Sequence, residues 1–520
     1  MASEAKRGVI RIAANYTRVL TVVVLGLVIV RLLLKGAGNE GWALIVMLGA
    51  TAGLGTMVQE SVRASLIREL GTAYHSGNDD HFRSAYNAAL AISAVIALVA
   101  AAIYVGLLFI LPLFDIPPDL LPAARWLVAA RGLQALVVVL LAAPQNMYKV
   151  TERMVAHNAW TIANRLCYLA AALVVLWQGI DDPGRAVTIY AVTSAILVVV
   201  VGLLSAGVMI LIDRRLIPAP STITRDAVKS ILQIGGWNAA ANVATTMHHR
   251  VSQVIMNLAF GLVGNLILGL AIQLTVAVRR LAMGMTEGLD AVSARLSTTR
   301  SDGAIRTLIH HSTRLHGFIT FPVAVGVVLL AEPVLRLWVG SQLEDPKATI
   351  PVATTLIRIM ALGMVTRAIS DGWIRILYGA GHVTRYAPLV IAGGIANPLL
   401  AGLLLLVLPA SVRITAVCWS FSAVLFVVHG ILIPIVGAKA LGISFVRLVS
   451  PLLRPLVVAL AFAPILLVVD PQDESPVRLL VAVGAYTVVY TAGCILFVMD
   501  RHERVRFAKA ALRRLPMATR

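Results

Sequence analysis

The chain has 520 residues, 59% of them hydrophobic and only 13% charged, and its mean hydropathy is +0.87. Soluble domains run to about 45–50% apolar and about 25% charged residues, so this composition cannot cover a water-facing surface. It excludes a disordered chain, a soluble enzyme and a nucleic-acid-binding domain, and the net charge of +19 belongs at the rim of a membrane bundle.

In chain order, Lys6, Arg7 and Arg11 precede an apolar segment from 19 to 34 with no A-x-A cleavage site, which reads as a retained first span. Fourteen segments are long enough to cross a bilayer: 12–34, 42–62, 85–111, 122–144, 157–178, 187–212, 231–256, 266–284, 313–332, 350–374, 386–408, 414–436, 455–470 and 478–499. Aromatic residues make up 6%, and the apolar runs do not alternate, so the spans are helices rather than barrel strands. The breaks carry turn residues, among them Gly36-Ala37-Gly38-Asn39, Pro117-Pro118-Asp119, Asp181-Asp182-Pro183-Gly184 and Pro218-Ala219-Pro220.

Lys and Arg concentrate in alternate loops. With the N-terminus inside, the segments 1–14, 61–84, 145–156, 213–230, 285–314, 375–386, 437–454 and 501–520 hold 28 of the 44 basic residues, against eight at the opposite rim. The positive-inside bias thus puts both termini in the cytoplasm. The tail from Arg501 to Arg514 interleaves basic residues with Val505, Phe507 and Leu512 and reads as a helix lying on anionic lipid.

The chain repeats once. Asn15, Gly41 and Asp79 recur as Asn238, Gly264 and Asp302, each 223 positions later and each in the same topological role. The expected fold is all-α and integral to the membrane. It comprises an N-terminal lobe of six helices (1–212), a linker (213–230), a second six-helix lobe (231–436) related by a pseudo-twofold, two appended spans (437–499) and a basic tail (500–520). Two such lobes enclose a central cleft.

Eight arginines fall inside spans: Arg18, Arg131, Arg165, Arg250, Arg279, Arg280, Arg358 and Arg367. Each costs about 2.5–3.5 kcal/mol at mid-bilayer, so several together imply a wet cavity or an anionic partner. Arg11, Asn15 and Arg18 share one face of span 1, and Asn238, Asn242, Thr245 and His249 form a stripe on span 7 beside Arg250. These two stripes are expected to face each other across the cleft. The expected anion-binding set is Arg18, Asn15, Arg250, Asn238, Asn242, His249, Arg131, Arg165 and Arg367. Arg279 and Arg280 lie near the inner interface and are expected to snorkel. Asp371, between Arg367 and Arg375 at helical spacing, is the candidate for ion coupling, although arginine neutralisation is the simpler role. His248-His249, His310-His311 and His316 lack convergent carboxylates or cysteines, and no metal or cofactor is expected. No GxxxxGK[ST], HExxH or GxSxG motif occurs.

Gly38-Asn39-Glu40-Gly41-Trp42, the stretch from Glu60 to Glu69, Ser76-Gly77-Asn78-Asp79, Ile116-Pro117-Pro118 and the stretch from Ala331 to Gly340 together resemble polysaccharide and O-antigen flippases of the multidrug/oligosaccharidyl-lipid/polysaccharide (MOP) exporter superfamily. The resemblance spans roughly residues 8 to 440. It implies alternating access and movement of an undecaprenyl-diphosphate-linked oligosaccharide across a bacterial inner membrane. Its implied partners are membrane lipids and a polysaccharide polymerase/chain-length complex, with no nucleic acid. Two alternatives stay open: a lipid II flippase, and a membrane glycosyltransferase or ligase using Asp115 and Asp119. The drug/cation antiporters of the superfamily use an acidic site, and span 1 here carries Arg18 and no acid.

Overall fold

A computed structural model describes residues 2–284, 286, 289–298, 302–472, 475–499 and 504; the expected surface helix in the basic tail, 500–520, lies outside the described residues apart from Arg504. Among the described residues every regular element is helical. They run in the order α1 (Ala2–His75), α2 (Asp79–Ile110), α3 (Leu121–Leu140), α4 (Ala142–Val150), α5 (Met154–Trp177), α6 (Pro183–Ile212), α7 (Arg225–Met283), α8 (Leu289–Thr298), α9 (Asp302–Leu329) and α10 (Ala331–Val339). There follow α11 (Pro346–Gly379), α12 (Val383–Val407), α13 (Ala416–Leu425), a wide turn over Phe426–Leu432, α14 (Ile433–Ala440), α15 (Phe445–Val449), α16 (Leu453–Ala461) and α17 (Pro476–Phe497).

Twelve helical stretches among the described residues are long and apolar enough to cross a membrane. Two of them double back. At 1.5 Å per residue, the 74 residues of α1 would extend about 110 Å, far beyond an apolar core of about 30 Å. The chain reverses at Gly38 (φ 68°, ψ −176°), and α7 does the same at Gly261 (φ 61°, ψ −157°). That backbone region is open essentially to glycine alone. Counting both arms of each hairpin brings the twelve to the expected fourteen crossings.

Gly38 and Gly261 are themselves 223 positions apart, and the helix starts Ala2/Arg225 and Asp79/Asp302 keep the same offset. The returning arms also begin alike. A Cβ at Gly41 would lie 2.8 Å from the Cβ of Ala37, and one at Gly264 would lie 2.7 Å from the Cβ of Phe260. Glycine is what lets each arm pass its predecessor.

Local chemistry sets the other boundaries. Asn78 caps α2 by accepting from the His81 amide at 3.0 Å, with Asp79 and Asp80 in the first turn facing the helix dipole. Asp182, Asp345 and Ser475 cap α6, α11 and α17, each followed by a proline that needs no amide partner. Three expected single spans are composite, and that over 414–436 is made of α13, the wide turn and α14. The span over 122–144 is broken at Leu141, between α3 and α4. The short thirteenth span is built from α15, α16 and tight 3-10 turns, because Pro451, Pro455 and Pro464 interrupt it.

Helices α1 to α6 pack on one another, α7 packs on α9, α11, α12 and α13, and the two sets meet along α1 and α7. The last two spans lie against α9. Leu33, Leu44, Val187, Leu270, Leu335 and Ile350 belong to one buried cluster that crosses this seam. Phe109, Trp177, Leu406 and Val468 are 79–86% exposed; on a soluble protein they would aggregate, and here they form the lipid-facing surface.

At the end opposite the kinks, the segment joining α6 to α7 is fastened to α2. Arg215 donates to Asp213 and, at 2.6 Å, to Asp79, and its guanidinium stands 5.1 Å from the Tyr74 ring and 5.0 Å from that of Phe82. Asn87 accepts from the Ala219 amide and donates to the Thr222 hydroxyl, while Ser84 and Thr224 share a hydroxyl hydrogen bond.

Candidate functional site

Three helices bring guanidinium groups to the same depth. Arg131 is about 15 Å along α3 from Leu121, Arg165 about 16 Å along α5 from Met154, and Arg250 about 16 Å along α7 from the Gly261 kink. Each distance is about half of a bilayer core. The guanidiniums of Arg131 and Arg165 stand 5.2 Å and 5.9 Å from the ring centroid of Tyr168, which puts two cations on one π-system.

Arg131 Nη1 donates to Gln134 Oε1 at 3.0 Å, and Gln134 is oriented by donating to Ser194 Oγ at 3.3 Å. Tyr190 stands beside Arg131. Arg250 Nη1 donates to the Gly49 carbonyl at 3.1 Å and lies near enough to Arg131 for the two charges to repel. Gly26 on α1 makes room for Gln273 and Arg165: a Cβ there would lie 2.6 Å from Gln273 Nε2 and 3.0 Å from Arg165 Nη2.

Among the described residues no ion pair neutralises Arg131, Arg165 or Arg250. Arg165 Nε is buried without a hydrogen-bond partner. A cationic group under-supplied with acceptors in apolar surroundings is stabilised by any anion that reaches it, and planar guanidiniums match phosphate oxygens two at a time.

A second polar cluster lies among α7, α11 and the wide turn. Arg279 Nε donates to Asp371 Oδ2 at 2.6 Å, and Arg367 Nε sits 3.1 Å from Asp371 Oδ1. This corrects the snorkelling expected of Arg279, which turns into the bundle because a buried carboxylate awaits it there. Arg367 Nη1 also contacts His429 Nε2 at 2.7 Å. Arg367 is thus part of a compensated network rather than of the uncompensated cluster. Beside it is a small pocket lined by Thr245, His248, Gly393 and Gly394, with room for about one water molecule.

Asn15 is 6% exposed and accepts from Asn158 Nδ2 at 3.0 Å. Arg18 is half-buried on the same helix. Arg18 precedes its kink by 20 residues and Arg250 precedes its kink by 11, so the two differ in depth by about 14 Å along their helices. Asn242 is half-buried on α7; the side chains of Asn238 and His249 lie outside the described residues. Composition and spacing miss Tyr168, Gln134 and His429. Tyr168 and Gln134 each follow a cluster arginine by three residues, the helical same-face spacing that could have pointed to them. His429 is the one histidine of an otherwise uncharged, largely apolar span.

No curated relative matches the sequence. Solved structures share the fold at low identity. The lipid II flippase MurJ in an inward closed conformation superposes with TM-score 0.68 at 13% identity, covering 93% of this chain and 98% of its own. An inward-facing multidrug resistance MATE family transporter of the MOP superfamily gives 0.60 at 12%, covering 83% and 98%. A MOP superfamily transporter from Pyrococcus furiosus, described for the reverse polarity of its binding pocket, gives 0.58 at 14%, covering 88% and 95%. The family described as polysaccharide biosynthesis protein matches residues 74–347, more than half of the chain. This multi-pass membrane protein, with its fourteen crossings and twice-used hairpin, belongs to the polysaccharide biosynthesis protein family and carries the fold of the MOP superfamily transporters.

Proposed function

We propose that the protein moves an undecaprenyl-diphosphate-linked oligosaccharide from the inner to the outer leaflet of a bacterial cytoplasmic membrane. The observation that carries this reading is the gathering of Arg131, Arg165 and Arg250 at mid-bilayer depth without a carboxylate among the described residues, with Arg165 Nε lacking an acceptor. A diphosphate offers several anionic oxygens within the span of two guanidinium forks. Tyr168 and Gln134 hold the forks in place.

The lipid tail need not leave the apolar phase. Only the headgroup must cross, so a cleft that opens alternately at its two ends along the α1–α7 seam suffices, and the substrate leaves chemically unchanged. The excess of Lys and Arg in alternate loops supports a cytoplasmic position for both termini. Family membership supports a lipid-linked glycan as cargo, delivered to a polysaccharide polymerase/chain-length complex.

The test is a binding titration in lipid nanodiscs. Undecaprenyl diphosphate bearing an oligosaccharide should bind wild type and bind Arg131→Ala/Arg165→Ala weakly, and undecaprenol, the uncharged alcohol of the same chain, should bind neither protein. Equal binding of the alcohol would contradict the reading. Tighter binding of lipid II than of the oligosaccharide carrier would reassign the cargo, and altered sugar linkages in the recovered lipid would mark a transferase.

A further inference from the structure

Each half of the repeat sends one connection across the seam to the other half. In the second half, α10 follows α9 at the end of the molecule that carries the kinks. Ala331, Leu335 and Val339 recur on one face of α10 and are buried in the cluster that crosses the seam, while Arg336 donates to Glu332 at 2.8 Å on another face. From this anchored helix Trp338 Nε1 donates to the Leu27 carbonyl of α1 at 2.8 Å. In the first half, the connection from α2 to α3 buries Leu111 and Leu120 in the same cluster. It carries Asp115 against α7, where the carboxylate stands 3.2 Å from the position that a Cβ would take on Gly261.

Asp115 and Trp338 are 223 positions apart, the offset that also separates Gly38 from Gly261. The pseudo-twofold therefore supplies a matched pair of straps, one from each half, and each meets the opposite half's hairpin. At the other end of the seam the closure is different: a Cβ on Gly284 of α7 would lie 3.0 Å from the ring of Tyr16 on α1.

The Trp338 contact is one that can be made and broken at low cost. The Leu27 carbonyl lies in a helix interior, whose own ladder takes one lone pair and leaves the second for the indole. Releasing Trp338 orphans no acceptor, and the half-buried indole can turn to water. Leu27 adjoins Gly26, beside which Gln273 Nε2 and Arg165 Nη2 lie. The strap thus closes the seam at the edge of the arginine cluster.

We propose that Trp338 is the latch of an outer gate. The straps 111–120 and 331–343 hold the two halves together at the kink end, and the Trp338–Leu27 hydrogen bond breaks each time the cleft opens outward. The inference rests on the transport reading above, which places the kink end outside, and adds the residue that holds that end shut.

The test is cysteine labelling by a membrane-impermeant maleimide in sealed right-side-out and inverted membrane vesicles. Val46→Cys reports on the outer part of the seam, where Val46 packs against Gly269, and Tyr16→Cys reports on the inner end. Each reporter is compared with Trp338 intact and with Trp338→Phe, which keeps an aromatic ring and removes the N–H. The native Cys167, Cys418 and Cys494 are buried, and protein without a reporter gives the background.

Losing one neutral hydrogen bond from the closed state should speed labelling of Val46→Cys from outside by about twofold to about tenfold and slow labelling of Tyr16→Cys from inside. Trp126→Phe, at a lipid-facing tryptophan that is 56% exposed, should change neither rate. Faster labelling at both ends would mark a general loosening and overturns the proposal, as do unchanged rates and the reverse pattern. Reciprocal labelling in a protein that moves no undecaprenyl-diphosphate oligosaccharide would fail the flippase reading and leave the gate standing.

Discussion

Arg250 and Gly49 tie the two hairpins together: a guanidinium on the first arm of α7 donates, at 3.1 Å, to a carbonyl on the returning arm of α1. That carbonyl belongs to a helix and already serves the helix's own ladder. Arg250 can give up this bond to a stronger acceptor, and a phosphate oxygen is one. A charged hydrogen bond is worth about 1.5–3 kcal/mol. Arg250→Ala is therefore expected to weaken binding of the diphosphate headgroup by about tenfold to about a hundredfold, with Arg250→Lys recovering part of the loss because charge returns without the fork. Titration of nanodisc-embedded variants measures both.

Asp371 is the counter-ion of two arginines, and its side chain and that of Arg367 are 7% and 8% exposed. Removing one partner of a buried pair leaves an uncompensated charge, at a cost of about 3–5 kcal/mol. Asp371→Asn is expected to lower the thermal unfolding midpoint sharply. Adding Arg367→Met should restore much of the loss, since Arg279, 23% exposed, can then reach toward the interface. No rescue by the second substitution would show that the ion pair is not what the first one broke.

The segment between α6 and α7 carries a pH-dependent fastening. Hydrogen bonds from the Arg215 side chain hold the Asp213 carboxyl below the usual carboxylate range. A folded-state pKa lower than the unfolded one gives stability that is present above the unfolded value and is lost as pH falls through the folded value. Asp213→Asn should therefore destabilise the protein at neutral pH, and the difference from wild type should vanish in acid. Thermal unfolding of both proteins across that range checks the sign: a gap that widens in acid contradicts it.

Gly38 and Gly261 hold equivalent reversals, so Gly38→Ala and Gly261→Ala should each destabilise by about 1–3 kcal/mol, the cost of a non-glycine residue in that backbone region. Gly261→Ala carries an added penalty, because its Cβ would lie 3.2 Å from Asp115 Oδ2. Unfolding midpoints of the two variants and of a Gly207→Ala control, whose Cβ would meet nothing within 4 Å, test this directly.

Much of the fold is legible because a bilayer imposes one length scale on every helix, and because the offset of 223 that links Asn15 to Asn238 also links the two kinks. The composite spans are legible only in their prolines. The site is less so. Arg131, Arg165 and Arg250 are conspicuous as charges in apolar runs, yet nothing along the chain says that α3 and α5 bring the first two to one tyrosine. Facing stripes on α1 and α7 suggest Arg18 as the partner of Arg250. Depth separates those two, since polar residues on a face say which side they line but not how far along it they meet. Arg279 near a helix end reads as a snorkelling side chain until Asp371, 92 residues later, is seen beside it.

Leaflet accessibility of a fluorescent undecaprenyl-diphosphate oligosaccharide in proteoliposomes, compared between wild type, Arg165→Ala and Arg250→Ala, shows whether the arginine cluster carries the lipid headgroup. Wild type should expose inner-leaflet lipid to an external quencher, and both variants, shown to be folded by thermal unfolding, should lose this activity. Normal movement of the lipid by both folded variants would contradict that role.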